Sequence, residues 1–288
     1  MLPGDVHCRV MGTQDIDGAF AVSREVLFDP VVPGEEHPAL ARFSARAAHL
    51  LATDPQGSFI AERDGRVAGV AMSLVREDVW GLSLFAVTAE IQGVGVGRAL
   101  LDATLRSGED RGAQGWIIMS TAHPGALRRY ASTGFDLHPA VDAGGVPDLR
   151  RTPDAAALAV DAGAGGIPLA DALWREVRGA SNAVDIPAML AAGARLLAFE
   201  DRAVVVAREA HVWALAARDD EAATLALWGA LTSGPPGATV SIDCLTGAQQ
   251  WAFRVCTDAR LDLTPHGPLL TRGALGPLTP YVPSGAYL

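Results

Sequence analysis

The segment Gln92-Gly93-Val94-Gly95-Val96-Gly97-Arg98 has the residue types and spacing most directly suited to chemistry. Glycines at 93, 95 and 97 let the backbone turn tightly and approach a ligand with no side chain between. The segment joins a strand to a helix, so the amides of residues 93–98 point toward the positive helix end and make an anion site. Arg98 can add a charge-assisted contact to a phosphate. A lysine-dependent phosphate loop is excluded, because all 23 basic residues are arginine. A dinucleotide fingerprint counted from Gly93 puts its third glycine at Arg98, and it belongs after the first strand of a domain; this strand is about the fourth. A glycine-rich connection that binds nothing is the remaining structural alternative.

A second constellation follows: His123-Pro-Gly-Ala126-Leu-Arg-Arg-Tyr130-Ala-Ser-Thr-Gly134-Phe135. Together the two stretches resemble the GNAT acetyltransferases, whose loop reads Gln/Arg-x-x-Gly-x-Gly/Ala and whose later helix reads Asn-x-x-Ala-x-x-Leu-Tyr-x-x-x-Gly-Phe. Gln92, Gly95 and Gly97 match the first, and Ala126, Tyr130, Gly134 and Phe135 match the second in register. His123 stands where the family has Asn, and Arg129 where it has Leu. The resemblance covers residues 5 to about 140, and the whole chain is similar to two-domain GNAT proteins of actinobacteria.

That resemblance implies acetyl-CoA as cofactor, with its pyrophosphate on Gln92, Gly93, Val94, Gly95, Val96, Gly97 and Arg98. Free backbone groups of Phe85, Ala86 and Val87 would take the pantetheine arm as an added strand, with Ala126 nearby. His123 either hydrogen-bonds that arm or simply starts a helix facing solvent. Tyr130 is the implied acid for the departing thiol. A phenol near 10 donating to a thiol near 8.5 is uphill by about 2 kcal/mol unless the site shifts one of them. Glu62, Glu77, Asp78 and Ser83 are base candidates, each of which also reads as a turn or edge residue. The expected acceptor is the primary amine of a small cationic molecule. A non-catalytic acyl-CoA-binding module is the alternative.

Hydrophobic periodicity places the elements that hold these residues. Strands are expected around 6–11, 57–63, 67–75, 79–87 and 116–121, with Asp64-Gly65 as a hairpin turn. Helices are expected around 19–28, 38–51, 100–106 and 124–132, with a loop at 30–38 and a last strand at 135–138. Composition turns to Gly, Pro, Ala and Asp after residue 140, which reads as a linker over 143–165. A helical region at 168–193 follows, then strands near 196–200, 203–208 and 211–217, a helix at 221–232 and a strand at 239–244. Phe-Asp-Leu-His-Pro at 135–139 recurs as Leu-Asp-Leu-Thr-Pro at 261–265. The expected architecture is therefore α+β: tandem GNAT folds, each with a mixed, mostly antiparallel sheet flanked by helices. Residues 1–142 would carry the active copy and 166–288 a degenerate one, which has Arg-Asp-Asp at 218–220 in place of the glycine loop.

The 288 residues carry a formal charge of −10, which argues against nucleic-acid and anionic-membrane partners and weakly favours a cationic substrate. No apolar run is long enough for a membrane span, and the first residues lack a secretion pattern. Cys8, Cys244 and Cys256 have no metal-like spacing, so no metal is expected, and they read as reduced thiols of a cytoplasmic protein. A monomer or homodimer is expected. The proline-rich end, 278–288, reads as a packed edge segment, with Tyr281, Tyr287 and the Leu288 carboxylate as alternative substrate contacts.

Overall fold

A computed structural model describes residues 6–27, 36–209 and 211–287. Most of the expected loop at 30–38, the helix end at Phe28 and the Leu288 carboxylate lie outside the described residues. Contacts divide the chain into two compact units, 1–114 and 115–288.

The first unit runs β1 (Val6–Val10), α1 (Ile16–Leu27), α2 (Glu36–Thr53), β2 (Ser58–Arg63), β3 (Arg66–Arg76), β4 (Val79–Val87) and α3 (Val96–Asp110). The four strands form an antiparallel sheet in sequence order. The hairpin turn between β2 and β3 falls at Asp64-Gly65, as expected, with both residues at positive φ. Val6, Ala61, Ala71 and Val87 of the sheet bury one face against Ile91, Val96 and Leu100, and this seats the start of α3 on β4. The carboxylate of Asp54, fully buried, holds the other end: it accepts from Val75 N–H at 2.8 Å and Arg76 Nη1 at 2.6 Å, and pairs with Arg111 beyond the last turn of α3. Burial opposes its charge, but Arg76 and Arg111 outweigh that and hold its pKa below the usual range.

The second unit holds β5 (Gly115–Met119), α4 (Pro124–Ser132), β6 (Asp136–Gly145), β7 (Ala159–Asp161), α5 (Ile167–Arg178), α6 (Ile186–Ala191), β8 (Arg195–Phe199), β9 (Ala203–Arg208) and β10 (His211–Ala217). It continues with α7 (Asp220–Thr232), β11 (Val240–Thr246), α8 (Gln250–Asp258), β12 (Asp262–Gly273) and β13 (Tyr281–Val282). Its strand order is β5-β12-β6-β11-β10-β9-β8-β7. Among the described residues of this unit only β10 and β11 pair in parallel, at His211–Ser241 and Val212–Ile242. Beyond that point β13 takes over the edge of β10, pairing Val282 with Leu215 and Tyr281 with Ala216. The tail is thus a packed segment, with Tyr281, Val282 and Tyr287 buried.

This division differs from the one composition implied. β12, from the far end of the chain, lies between β5 and β6 and pairs with both. Residues 115–145 therefore pack with the last third of the chain. Within 143–165, the span expected as a linker, Ala143 pairs with Ile242 and Leu263, β7 pairs with β8, and Asp148 N–H donates to the Ala259 carbonyl at 2.8 Å. Backbone pairing overrides a loop-like composition there. The two similar pentapeptides open β6 and β12, which are antiparallel neighbours. Each follows a helix whose return is made by a left-handed residue, Gly134 or Arg260. Among the described residues no helix is long and apolar enough to cross a membrane.

Candidate active site

The path from β4 into α3 has the geometry of an open helix end. Gly93 and Gly95 sit at φ +78° and +95°, where a side chain costs strain. Gly95 is the N-cap and offers no side-chain acceptor, and the first turn of α3 carries no acidic residue. The first helical bond runs from Ala99 N–H to the Gly95 carbonyl at 3.0 Å. The amides of Val96, Gly97 and Arg98 thus have no partner inside the helix. Nothing lies within 4 Å of where a Cβ on Gly93 would be. On Gly97 a Cβ would touch Phe85 at 3.5 Å, so glycine here lets the first turn lie close to β4. Val94 is exposed, and Arg98 projects into solvent beside Asp102 at 3.5 Å.

Two expected ligand positions turn out to serve each other. The Gln92 side chain donates from Nε2 to the Val87 carbonyl at 2.8 Å, pinning the turn to the end of β4. Spacing gave no hint of this clamp. Phe85, Ala86 and Val87 pair with Ala71, Val70 and Gly69 of β3, and a bulge at Ser83 interrupts that ladder just upstream.

The helix motif is explained by its own turn geometry. His123 caps α4, its Nδ1 accepting from Ala126 N–H at 3.2 Å. This is a task Asn performs equally well, which accounts for the substitution at this position. Gly134, at φ +85°, turns the chain so that Phe135 N–H reaches the Tyr130 carbonyl at 3.3 Å. Arg272 of β12 stacks on Trp116 and Phe135, with its carbon 4.3 and 5.2 Å from the ring centroids, and donates to the Thr133 carbonyl at 2.9 Å. Arg129, at the family's Leu position, is only half-buried.

Tyr130 is 3% exposed and its hydroxyl is hydrogen-bonded to Ser120. Ser120 spends its own proton on the Thr121 carbonyl at 2.9 Å, so the phenol is the donor in that pair. Burial pushes the Tyr130 pKa well above the ordinary phenol range, against a smaller opposing effect of Ser120. Full proton transfer from it is therefore harder than the sequence implied, and its hydrogen must leave Ser120 before a ligand can accept it.

The four base candidates are ordinary structural residues. Glu62 bonds Arg9, Glu77 and Asp78 form the exposed β3–β4 turn, and Ser83 is buried at the bulge. A different polar group stands on the second unit's sheet: Asp142 on β6, His211 on β10, Ser241 and Asp243 on β11, and His266 on β12. His211 contacts Ser241 through Nδ1 and lies 3.4 Å from Asp243 through Nε2. Burial and the nearby Asp142 raise the Asp243 pKa, with His211 and His266 opposing. Among the described residues no cluster fits a metal ion.

Known proteins resemble this chain in sequence over its first half and in fold over its length. The acetyltransferase (GNAT) family model matches residues 23–135. A mycothiol acetyltransferase from Thermomonospora curvata is 38% identical over 84 residues, which is 28% of this chain and 28% of that protein. Among solved structures, a candidate acetyltransferase from Pyrococcus horikoshii superposes over 100% of this chain and 98% of its own, with a TM-score of 0.82 at 14% identity. A GCN5-related N-acetyltransferase from Kribbella flavida covers 93% of this chain and 71% of its own, with a TM-score of 0.59 at 17% identity. At such identities the superpositions establish the fold, a mixed α+β architecture with a mostly antiparallel sheet flanked by helices. The family resemblance is carried by the sequence: residues 23–135 match the acetyltransferase (GNAT) family.

Proposed function

We propose that the chain is an N-acetyltransferase that moves the acetyl group of acetyl-CoA to a primary amine of a small, cationic acceptor. The observation that carries this reading is the open N-terminus of α3. Its amides have no internal partner, its cap has no side chain, and no carboxylate competes for it. Those features fit a pyrophosphate. Gly93, Val94, Gly95, Val96, Gly97 and Arg98 would hold it, and Gln92 would fix the turn through Val87. The backbone of Phe85–Val87 would align the pantetheine arm, and Ala126 and His123 are the further residues proposed to contact the cofactor.

Acetyl-CoA, when bound, supplies an activated acyl carbon, so the protein's contribution is orientation and proton handling. Tyr130 would turn its hydroxyl hydrogen from Ser120 toward the departing sulfur and donate it there. Because that sulfur would lose solvation in the same buried surroundings, its own pKa would rise with that of the phenol, keeping the two closer than in water. The charge of −10 favours a cationic acceptor in free solution.

Calorimetry with coenzyme A, followed by thiol release from acetyl-CoA across an amine panel, tests the proposal. Micromolar binding with amine-dependent thiol release is the expected result. Binding without turnover on any amine would replace it with an acyl-CoA-binding module.

A further inference from the structure

We infer that Asp142 and His266 form the seat of the acceptor's ammonium group, with His266 Nε2 as the base that takes its proton; this rests on the acetyltransferase reading above. His266 Nδ1 lies 3.0 Å from the Gly267 carbonyl. A carbonyl can only accept, so Nδ1 carries the hydrogen, and in the neutral ring Nε2 keeps its lone pair. That lone pair faces Asp142 Oδ2 at 3.9 Å. The gap is too long for a hydrogen bond between the two. It is the right span for one ammonium nitrogen bonded to both: at about 2.8 Å from each atom, the two contacts subtend roughly 90° at nitrogen, close to the angle between two N–H bonds.

The carboxylate is held for this task. Asp142 Oδ1 accepts from Cys244 N–H at 2.8 Å, leaving Oδ2 for a ligand. Cys244 reaches it from a β-bulge on β11, in the left-handed region at φ +58°. The Asp142 and His266 side chains are 33% and 26% exposed, so a small molecule can reach them while much of the solvent is excluded. The titratable groups facing the pair are Asp243 and the Cys244 thiol from β11 and, beyond them, His211 from β10 with Arg208 of β9 next to it. No arginine or lysine approaches either group in an ion pair among the described residues, and the site's charge favours a cation.

The backbone of β12 ties this pair to Tyr130. Pro268 accepts from Ser120 N–H at 3.2 Å, and Gly267 lies so close to Ser120 and Thr121 that a Cβ would clash with their backbone. Ser120 is the residue that holds the Tyr130 hydroxyl. Across the bulge in β12, His266 and Leu269 oppose Ala140 and His138 of β6, two residues apart and so on one face. Arg272, which packs with Trp116 and Phe135 beneath α4, belongs to the other face. Base and acid therefore approach from opposite faces. Amine and thiol occupy different bonds of the tetrahedral carbon formed in acyl transfer, so base and acid need not share a face.

The balance is as follows. The ammonium gives one proton to His266 Nε2, and its freed lone pair forms the C–N bond. The C–S bond breaks with its electron pair on sulfur, which takes up one proton with help from Tyr130. Nitrogen loses its second proton as the amide forms, so one proton is released to water overall.

The experiment uses the full chain with a small primary diamine as probe, and with His266→Gln and Asp142→Asn as variants. Without acetyl-CoA, the probe should shift the His266 ring signals in NMR spectra of the wild type, and Asp142→Asn should abolish that shift. With acetyl-CoA, Asp142→Asn should raise the amine KM at least tenfold. His266→Gln should lower kcat/KM by about 10²–10⁴, remove the acidic limb of its pH profile, and leave coenzyme A affinity unchanged. Added imidazole should restore part of the rate in His266→Ala. A turning-over wild type whose folded variants keep the amine KM and the pH profile would overturn the assignment. A wild type that turns over no amine would overturn the acetyltransferase reading, and the base assignment with it.

Discussion

The helices α3 and α7 each follow a bulged strand, β4 or β10, yet their first turns are built in opposite ways. At α3 the cap is Gly95, left-handed and without a side chain. At α7 it is Asp219, whose carboxylate accepts from Ala222 N–H at 2.9 Å and is bridged by Arg202 to Glu221. One helix end is left open for an anion, and the other already holds one covalently attached. The strand edges differ in the same sense. In β10, residues Leu215–Ala217 stand where Phe85–Val87 stand in β4, counted from the bulges at Trp213 and Ser83. That edge is occupied by β13, and Ala217 N–H donates to the Pro280 carbonyl at 3.1 Å. The helix motifs diverge as well: Leu261 N–H returns to the Cys256 carbonyl as Phe135 N–H returns to Tyr130, so Cys256 occupies the tyrosine's place. We propose that the second half descends from the same fold and has filled its cofactor groove with its own chain. On that proposal Asp219 and β13 supply the charge and the added strand that a bound cofactor would supply at α3 and β4.

The contrast can be broken most sharply by moving the second half's solution into the first. Gly95→Asp adds left-handed strain and a competing carboxylate; coenzyme A affinity, read by calorimetry, should fall at least a hundredfold, about 2.7 kcal/mol. Next, Tyr130→Phe should lower kcat about ten- to several-hundredfold with coenzyme A affinity little changed, while Cys256→Ser should leave kcat within about twofold. Wild-type kcat in Tyr130→Phe would remove the phenol from the mechanism. Asp219→Ala should cost about 1 kcal/mol, a fall of roughly 2–4 °C in melting temperature, without creating a second coenzyme A site. A second equivalent of bound cofactor in that variant would show that β13 does not close the groove.

The smallest effect is a pH dependence. The Ala222 amide, with Arg202, outweighs desolvation and depresses the Asp219 pKa in the folded state. A depressed carboxyl stabilises the fold above its unfolded value near 3.9, and that contribution disappears as pH falls through the folded value. The melting difference between wild type and Asp219→Ala should therefore be full at pH 6 and close on acidification below about pH 4. A difference unchanged down to pH 2 would assign the loss to packing instead.

Much of this was legible because it is local. The glycines at 93 and 95 and the Tyr130-x-x-x-Gly134-Phe135 return are imposed by backbone turns a few residues long, and a sequence displays such constraints directly. His123 was legible as a helix start, though its nitrogen acceptor was not. What remained hidden is long-range. Nothing near residue 266 indicates that its imidazole will face Asp142, since β-pairing joins segments distant along the chain. The missed helix α8 did leave a signal: Trp251, Ala252, Val255 and Cys256 are buried at helical spacing. Residues 143–165 misled through composition, because Gly- and Pro-rich stretches can still pair when their neighbours offer an edge.

The placement of β12 also has a consequence for how the protein is made. Translation delivers β5 and β6 long before residues 262–273 leave the ribosome. Until then both strands lack the partner that separates them and expose unsatisfied edges. A nascent chain that ends before residue 266 carries the glycine loop and Tyr130 but not His266, Pro268 or Arg272. For the acetyltransferase proposed above, turnover should therefore appear only after β12 has emerged, and all at once.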